Sequence, residues 1–353
     1  MSRKAPGFWW PEAGRPPSTR DRMAQSALYP ASVIYGWIAG NRMLGSGSRA
    51  ECPVICVGNF VAGGAGKTPT ALYVAERLTE SGLKPAFVSR GYTGTLSNQN
   101  VQVDLDSHTA QEVGDEPLLL ARVAPTFVGA ERSQSIRSAF EAGADIVVLD
   151  DGFQNPSVIK DFNIVVVDAA WGVGNGLCHP AGPLRVPLAK QISFLDVIVV
   201  IGEGRAANAV IRKAARQGKQ LCFAKLEITM DDDLRDRPVL AFAGIGQPEK
   251  FKRSLEDKGA KLADFLAFGD HHLYTETDAK KLLARASELS AALVTTEKDR
   301  ARLRGASGTL GDLAEVTTAI PVTLRFEDAT LLDRTLETVI DQWRRDLLMV
   351  KLD

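Results

Sequence analysis

A glycine-rich segment between Gly58 and Thr68 offers the clearest chemistry in the sequence. The backbone N–H groups of such a turn can surround phosphate oxygens, a following lysine can bridge terminal phosphates, and a threonine hydroxyl can bind Mg²⁺. An apolar run ending at Val57 precedes the segment and a helical pattern follows it, as a phosphate loop requires. Val61 departs from the G-x-x-x-x-G-K-S/T pattern, which has glycine there, so a chance glycine turn is the alternative. The predicted nucleotide-binding residues are Ala62, Gly63, Gly64, Ala65, Gly66, Lys67 and Thr68.

Two adjacent carboxylates, Asp150 and Asp151, follow the apolar run from Ile146 to Leu149. The end of a buried parallel strand would place them at the carboxyl edge of the sheet, beside the glycine-rich loop. Carboxylate oxygens at that edge can hold Mg²⁺ directly or through water, together with the Thr68 hydroxyl. The alternative is that the two aspartates only cap a turn.

A second acidic pair, Asp115 and Glu116, precedes Pro117 at the start of a helical run. The two acids could simply cap that helix. The functional alternative is that one of them binds Mg²⁺ and the other accepts a proton from a hydroxyl group. The residues alone leave both interpretations open.

The chain has four histidines, and two of them, His271 and His272, are adjacent and follow Asp270. A zinc site would need further ligands at fixed spacing, so a proton relay or a phosphate contact is the better interpretation of the pair. Arg90 follows a predicted strand, and Arg185 lies in a loop rich in glycine and proline. Each arginine could contact a phosphate or be an ordinary surface residue.

Alternating strands and helices must position these residues. Short apolar runs rich in β-branched residues recur at 54–57, 86–88, 146–149, 164–167 and 197–200. Continuous apolar strands are typical of a mainly parallel sheet that helices cover on both faces. The sequence therefore predicts an α/β protein with a P-loop NTPase-like fold.

The length of 353 residues favours two domains, because single cores stop growing at about 250–300 residues. An acidic, turn-prone stretch at 231–236 precedes a fresh strand at 239–242, which sets the predicted boundary. We predict an N-terminal membrane-associated segment at 1–50, a phosphate-loop domain at 51–230, and a smaller α/β domain at 231–353 that ends in a closing helix. That helix could return to either domain.

The composition narrows the classes of partner. The 42 Lys and Arg residues nearly balance the 43 Asp and Glu residues, which argues against a nucleic-acid partner. The four cysteines lack paired C-x-x-C spacing and are predicted to be reduced, buried thiols. Prolines interrupt the first twenty residues and no secretory signal is evident, so we expect the catalytic body to stay in the cytoplasm.

The segment from Ala24 to Leu44 is weakly apolar, contains tyrosine and tryptophan, and is flanked by arginines. Pro30 and Gly36 make it a poor spanning helix, whereas its aromatic and arginine content is typical of an anchor at a membrane surface. A helix packed on the domain is the alternative.

Taken together, these motifs closely resemble those of the tetraacyldisaccharide 4′-kinases, the lipid A 4′-kinases of Gram-negative bacteria. The resemblance covers nearly the whole chain. In chain order its marks are the phosphate loop at 58–69, Ser-Arg-Gly-Tyr at 89–92, Val-Gly-Asp-Glu-Pro at 113–117, Asp-Asp-Gly-Phe-Gln at 150–154, His-Pro-Ala-Gly-Pro-Leu-Arg at 179–185, Phe-Ala-Gly-Ile-Gly-Gln-Pro at 242–248, Asp-His-His at 270–272 and Thr-Thr-Glu-Lys-Asp at 295–299.

The resemblance implies transfer of the γ-phosphate of ATP to the 4′-hydroxyl of an acylated disaccharide 1-phosphate, with Mg²⁺, at the cytoplasmic face of the bacterial inner membrane. No obligate protein partner is evident. Asp115 would be the general base, supported by His271. The implied Mg²⁺ ligands, direct or through water, are Thr68, Glu116, Asp150 and Asp151, and Thr296 and Glu297 would lie near the nucleotide or a domain hinge.

Two positions depart from the family pattern: Asn155 replaces a common histidine and Val186 a common glutamate. The alternative enzyme class is a P-loop GTPase or metallochaperone-type NTPase, although Lys298 and Asp299 are adjacent rather than spaced as in a guanine motif. A nucleotide-gated membrane scaffold would need the phosphate loop but not Asp115. An NAD site is discounted because the glycines after the strand at 239–242 lack the third glycine of the fingerprint.

Overall fold

The computed structural model describes residues 6–11, 18–64 and 66–350, with side chains up to residue 345. Of the predicted site residues, Ala65 lies outside this description. The strands are β1 (Val54–Asn59), β2 (Pro85–Ser89), β3 (Val101–Gln102), β4 (Thr126–Val128), β5 (Ile146–Asp150), β6 (Phe162–Asp168), β7 (Val197–Ile201), β8 (Gln220–Ile228), β9 (Pro238–Ala243), β10 (Lys261–Ala267), β11 (Ala292–Thr296), β12 (Thr317–Ile320) and β13 (Val322–Phe326).

A short 3₁₀ helix at Gly7–Trp9 precedes the α-helices. The helices are α1 (Thr19–Met43), α2 (Lys67–Glu80), α3 (Ala110–Val113), α4 (Asp115–Leu120), α5 (Arg132–Glu141), α6 (Leu188–Phe194), α7 (Asn208–Ala215), α8 (Asp232–Arg235), α9 (Pro248–Asp257), α10 (Glu276–Glu288), α11 (Glu297–Arg302), α12 (Gly308–Val316) and α13 (Thr330–Val350).

The described strands form a large sheet of nine and a small sheet of four. The large sheet has the order β13-β8-β7-β6-β1-β5-β2-β4-β3, and all its pairs are parallel except β3 with β4 and β8 with β13 at its edges. The small sheet has the order β10-β9-β11-β12 and is entirely parallel. This architecture confirms the predicted α/β class with a mainly parallel sheet.

The central strand β1 shows why the apolar runs form strands. Val54 and Cys56 join one hydrophobic cluster, beneath α1, α5, α6 and α7, while Ile55 and Val57 join the cluster beneath α2 and α13. Successive side chains of a strand point to opposite faces, so a strand covered on both sides must be apolar throughout. The five predicted apolar runs all lie in strands of this sheet. All four cysteines are buried and free, as predicted.

The last described strand and helix return to the large sheet. β13 pairs antiparallel with β8, and α13 packs Leu332, Leu336 and Ile340, four residues apart, on the cluster beneath α2. The small sheet is thus inserted between β8 and β13, and its two connections are bonded to each other, since Thr229 N donates to the Pro321 carbonyl over 3.1 Å. The division at residue 230 stays a prediction, and β13 and α13 contact the first unit, which carries the large sheet.

Candidate active site

The glycine-rich loop joins β1 to the N-terminus of α2. Gly66 caps this helix at φ 88°, in the left-handed region, and a Cβ there would lie 2.5 Å from Ile201 Cδ1. Lys67 and Thr68 begin the helix, so its free N–H groups and dipole face the loop. Asn59, the last residue of β1, is buried, and its side-chain amide donates to the Gly63 carbonyl over 2.8 Å, which fixes the loop to the end of the strand.

The departure at Val61 has a structural explanation. Val61 forms a β-bridge with Leu184, and its side chain is buried in the core. The next residue continues this contact, because Ala62 N donates to the Pro183 carbonyl over 2.9 Å. The position therefore anchors the loop to the segment that carries Arg185.

Asp150 ends β5 with a side chain that is 1% exposed. Within the described part of the chain, neither of its carboxylate oxygens has a hydrogen-bond partner, so it does not cap a turn. Burial, followed by the negative charge of Glu116, raises the pKa of Asp150 to about 7. Such an unpartnered buried carboxylate beside a phosphate loop fits a divalent cation, which would satisfy both oxygens.

No group of three or more His, Cys, Asp or Glu side chains among the described residues could hold a metal by itself. This donor set fits Mg²⁺ bound with a nucleotide, because that ion usually takes one or two protein ligands and fills its shell with phosphate oxygens and water. Thr68 and Asp150 would hold it, and their role as Mg²⁺ ligands, like that of Glu116, stays a prediction.

Asp151 sits at φ 58° and is paired with cations. Arg185 donates to its two oxygens over 2.6 and 2.9 Å, and Lys67 Nζ lies 3.7 Å away. Burial would raise the pKa of Asp151, but the charges of Lys67 and Arg185 hold it well below its usual range. Asp151 therefore orients both cations at the loop, and a part in Mg²⁺ binding stays a prediction.

Asp115 is the first residue of α4, after Gly114 in the cap position, and its side chain is 5% exposed. His271 Nδ1 lies 3.4 Å from Asp115 Oδ2. The hydrogen bond with Asp115 raises the pKa of His271. Burial would raise the pKa of Asp115, yet the His271 hydrogen bond and the charges of Arg302 and Lys298 hold it well below its usual range.

The two adjacent histidines have different surroundings. His271 reaches Asp115, whereas His272 Nε2 lies 3.0 Å from Asp278 Oδ2 and its ring stacks on Phe268. His271 adopts φ 54°, and its N–H donates to the Gly244 carbonyl over 3.0 Å. The geometry thus brings the predicted pair Asp115 and His271 together across the two sheets.

Helix α11 of the small-sheet unit contributes cations that the sequence reasoning missed. Lys298 Nζ lies 2.5 Å from Glu116 Oε1, and Arg302 donates through Nε to Asp115 Oδ2 over 2.8 Å. The charge of Lys298 lowers the pKa of Glu116. Lys298 and Arg302 are four residues apart and so share one face of the helix, a signal that could have marked them as a pair.

Arg132 is a further missed cation. It is buried at the start of α5, donates to the Gly129 carbonyl, and has no partner for Nε among the described residues. Burial and then the charge of Arg90 lower its pKa, so the two arginines lie close together. Arg90 itself is exposed at the end of β2. The pair adds positive charge beside the phosphate loop.

The remaining predicted positions connect or support the site. Thr296 caps α11, and the next residue, Glu297, has its Oε1 3.7 Å from Nη1 of Arg122 in the first unit. Thr296 and Glu297 therefore lie where the small-sheet unit contacts the first unit. Asn155 Oδ1 accepts the N–H of Ser157 in a turn, and Val186 is buried in the core. The two departures from the family pattern therefore have local structural roles.

Comparison with known proteins agrees with this geometry. Residues 24–341 match the family model described as tetraacyldisaccharide-1-P 4′-kinase. The chain belongs to this family. It is 44% identical to the tetraacyldisaccharide 4′-kinase of Allorhizobium ampelinum over 98% of this chain and 99% of that protein. It is 47% identical to that of Methylobacterium nodulans over 93% and 94% of the two chains.

Among solved structures, the "apo" form of LpxK from Aquifex aeolicus in complex with ATP is similar, with a TM-score of 0.70 and 25% identity. The match covers 90% of this chain and 99% of that one. Family membership makes this chain a kinase. The matches favour that interpretation over a P-loop GTPase or metallochaperone-type NTPase.

Proposed function

We propose that the protein transfers the γ-phosphate of ATP to the 4′-hydroxyl of a tetraacyldisaccharide 1-phosphate, the lipid A precursor. The observation that carries the proposal is that the residues for binding ATP and the residues for activating a hydroxyl group lie next to each other. Lys67, Thr68 and Asp150, which has no hydrogen-bond partner among the described residues, lie at the phosphate loop, and the Asp115–His271 pair lies beside them. In addition to Lys298 at Glu116 and burial at Asp150, the charge of Lys67 acts on the pKa values of both carboxyl groups, so the three side chains lie close together.

In the proposed reaction the 4′-oxygen attacks the γ-phosphorus, the bond to the β–γ bridging oxygen breaks, and ADP leaves. Lys67 and the N-terminus of α2 stabilise charge on the phosphates. Mg²⁺, held by Thr68 and Asp150, would neutralise further phosphate charge.

Asp115 accepts the proton of the hydroxyl, and His271 holds its carboxylate. A low pKa of Asp115 is compatible with this role because phosphoryl transfer passes through a loose transition state. Little bonding to the attacking oxygen has then developed, so orientation of the hydroxyl matters more than base strength.

Helix α1 supports a membrane location. Its small residues Ser32, Gly36 and Gly40 are buried, and Ser32 Oγ donates to the Cys178 carbonyl over 2.7 Å. The rest of the helix surface exposes apolar and aromatic side chains, to which the capping residue Leu44 adds another, namely Met23, Tyr29, Val33, Ile34, Trp37, Ile38 and Leu44. One face therefore packs on the body, as the alternative interpretation expected, and the other is unpartnered among the described residues.

We infer that the exposed face lies in the interfacial layer of the bacterial inner membrane, on its cytoplasmic side, where the acyl chains of the substrate remain in lipid. Aromatic side chains with nearby arginines suit that layer. No helix within the described ranges is long and apolar enough to cross a membrane.

The proposed function is tested by incubating the protein with γ-labelled ATP, Mg²⁺ and detergent-dispersed tetraacyldisaccharide 1-phosphate. Labelled lipid should form with the wild type, and Asp115→Ala should lower the rate at least about 10²–10⁴-fold while ATP binding persists. A folded wild-type protein that yields no labelled lipid would refute the substrate assignment. Full turnover by Asp115→Ala would refute its role as base.

A further inference from the structure

One arginine of the small-sheet unit, Arg302, donates hydrogen bonds to the Asp115 carboxylate. We propose that Arg302 is a positioning residue, which holds the Asp115 carboxylate in the orientation that accepts the proton of the acceptor hydroxyl. This inference rests on the proposed function and adds a residue to it. Arg302 does not touch the reacting atoms in this scheme; it acts through Asp115.

The contacts on Asp115 fix both ends of its carboxylate. Oδ2 accepts from Arg302 Nε over 2.8 Å and also from Nη2. Oδ1 accepts the N–H of Glu116 over 2.9 Å. A planar guanidinium that donates through two nitrogens sets direction as well as charge, which a lysine cannot do. With Oδ1 tied to its own helix, the carboxylate plane has one favoured orientation.

Arg302 is itself anchored within the small-sheet unit. Its side chain is 3% exposed, and Nη1 donates to the Gly244 carbonyl over 2.6 Å and to Asp299 Oδ1 over 2.7 Å. Asp299 is fully buried and accepts the hydroxyl groups of Tyr274 and Thr296 over 2.8 and 2.6 Å. Rotating Arg302 away would leave a buried carboxylate short of its cation, which is costly.

Gly244 joins the two residues that face Asp115. Its carbonyl accepts from Arg302 Nη1 and from the His271 N–H, and its N–H donates to Asp299 Oδ1 over 3.0 Å. A Cβ at Gly244 would lie 3.0 Å from that oxygen and 3.2 Å from Arg302 Nη1. One peptide therefore sets the distance between the arginine and the histidine, and both reach Asp115 as a unit.

A purely structural link between α11 and α4 is the competing explanation, since Lys298 and Glu116 already make such a link nearby. The two explanations differ in what a substitution changes. Loss of a link lowers stability but leaves the turnover of folded molecules intact. Loss of positioning lowers kcat of folded molecules, because a misplaced catalytic group costs about 100-fold.

The test compares Arg302→Gln, Arg302→Lys and the wild type in the labelled-lipid assay, with rates expressed per folded molecule from the stoichiometry of ATP binding. Arg300→Gln is the matched control, because it removes a cation two positions away on α11, where a residue does not share the face of Arg302. We expect kcat of Arg302→Gln to fall about 100-fold with the KM for ATP unchanged, and Arg300→Gln to keep the wild-type kcat.

Arg302→Lys retains the buried charge without the forked contact, so its kcat should lie between that of Arg302→Gln and that of the wild type. This variant keeps the test decisive if Arg302→Gln does not fold. Arg302→Gln is also combined with Asp115→Ala. Because Arg302 acts through Asp115, it should cost nothing more in that background.

A wild-type kcat per folded molecule in both Arg302 variants, or an equal loss from Arg302→Gln with and without Asp115, would overturn the role of Arg302 alone. Absence of lipid phosphorylation by the wild type would instead refute the proposed function, and this role with it.

Discussion

Replacing Asp150 by asparagine should stabilise the protein in the absence of nucleotide while it removes phosphate transfer. The carboxylate is 1% exposed and unpartnered among the described residues, so its negative charge is unfavourable until a cation binds. Asparagine keeps the shape of the side chain without the charge. The free energy of unfolding and the activity are thus expected to change in opposite directions.

The magnitude follows from the pKa. Folding raises the pKa of Asp150 from its ordinary 3.8 to about 7, mainly through burial. The folded state therefore binds this proton more tightly than the unfolded state, and stability is lost as the pH rises between the two values. At about 1.4 kcal/mol for each pH unit, Asp150→Asn should add about 4 kcal/mol to the free energy of unfolding at about pH 8, and about 1 kcal/mol at about pH 4.5.

The assay is chemical denaturation with a chelator present, at both pH values. Asp151→Asn is the control with the opposite sign, because Lys67 and Arg185 lower the pKa of Asp151 against the effect of burial. Its charge stabilises the folded protein above the ordinary carboxyl pKa, so its removal should destabilise at about pH 8. Added Mg²⁺ and ATP should stabilise the wild type more than Asp150→Asn.

Two results would refute this reasoning. One is an Asp150→Asn protein no more stable than the wild type at about pH 8, and the other is a gain in stability that does not depend on pH. Retention of Mg²⁺-dependent transfer by the same variant would separately remove Asp150 from the metal site.

Three further predictions concern other parts of the molecule. Gly66→Ala should weaken ATP binding at least about tenfold in calorimetry, because φ is 88° and a Cβ would meet a side chain of β7 at 2.5 Å; unchanged affinity would contradict the loop geometry. Tyr274→Phe removes one hydrogen bond to Asp299 and should cost about 1 kcal/mol of unfolding free energy by denaturation; an equally stable variant would show that the bond contributes nothing. Trp37→Ser, which removes an indole that is 68% exposed on α1, should weaken binding to phosphatidylglycerol vesicles about tenfold in flotation. Val316→Ser, at an exposed position on α12, should bind as the wild type does, and equal losses in both variants would argue against the α1 face.

The sequence predicted structure well where the burial of a single strand determines its residue types. The runs at 54–57 and 146–149 are apolar at every position because both faces of the central strands are covered, and they predicted strands correctly. β10 (Lys261–Ala267) has no run of this kind in the sequence. β10 lies at the edge of the small sheet and its side chains are only partly buried. Because they need not all be apolar, the sequence has no continuous apolar run there.

Contacts between distant elements were beyond the reach of pattern reasoning. Lys298 and Asp299 were considered as a guanine motif and as part of the family mark at 295–299, without a role in the site, and Arg302 was not singled out. Arg302 meets Asp115 across 187 positions of the chain, because the small sheet docks α11 on α4. A local pattern carries no information on that docking, although the charge pairing is clear once the two helices are adjacent.

The insertion of the small sheet between β8 and β13 has a mechanical consequence. Two chain crossings lie side by side, and the bond between Thr229 and the Pro321 carbonyl ties them together. A body attached by two adjacent strands can rotate about the line through them but resists sliding and separation. The position of His271 and Arg302 relative to Asp115 is therefore set by one pair of adjacent chain crossings, together with the ion pairs between α11 and α4.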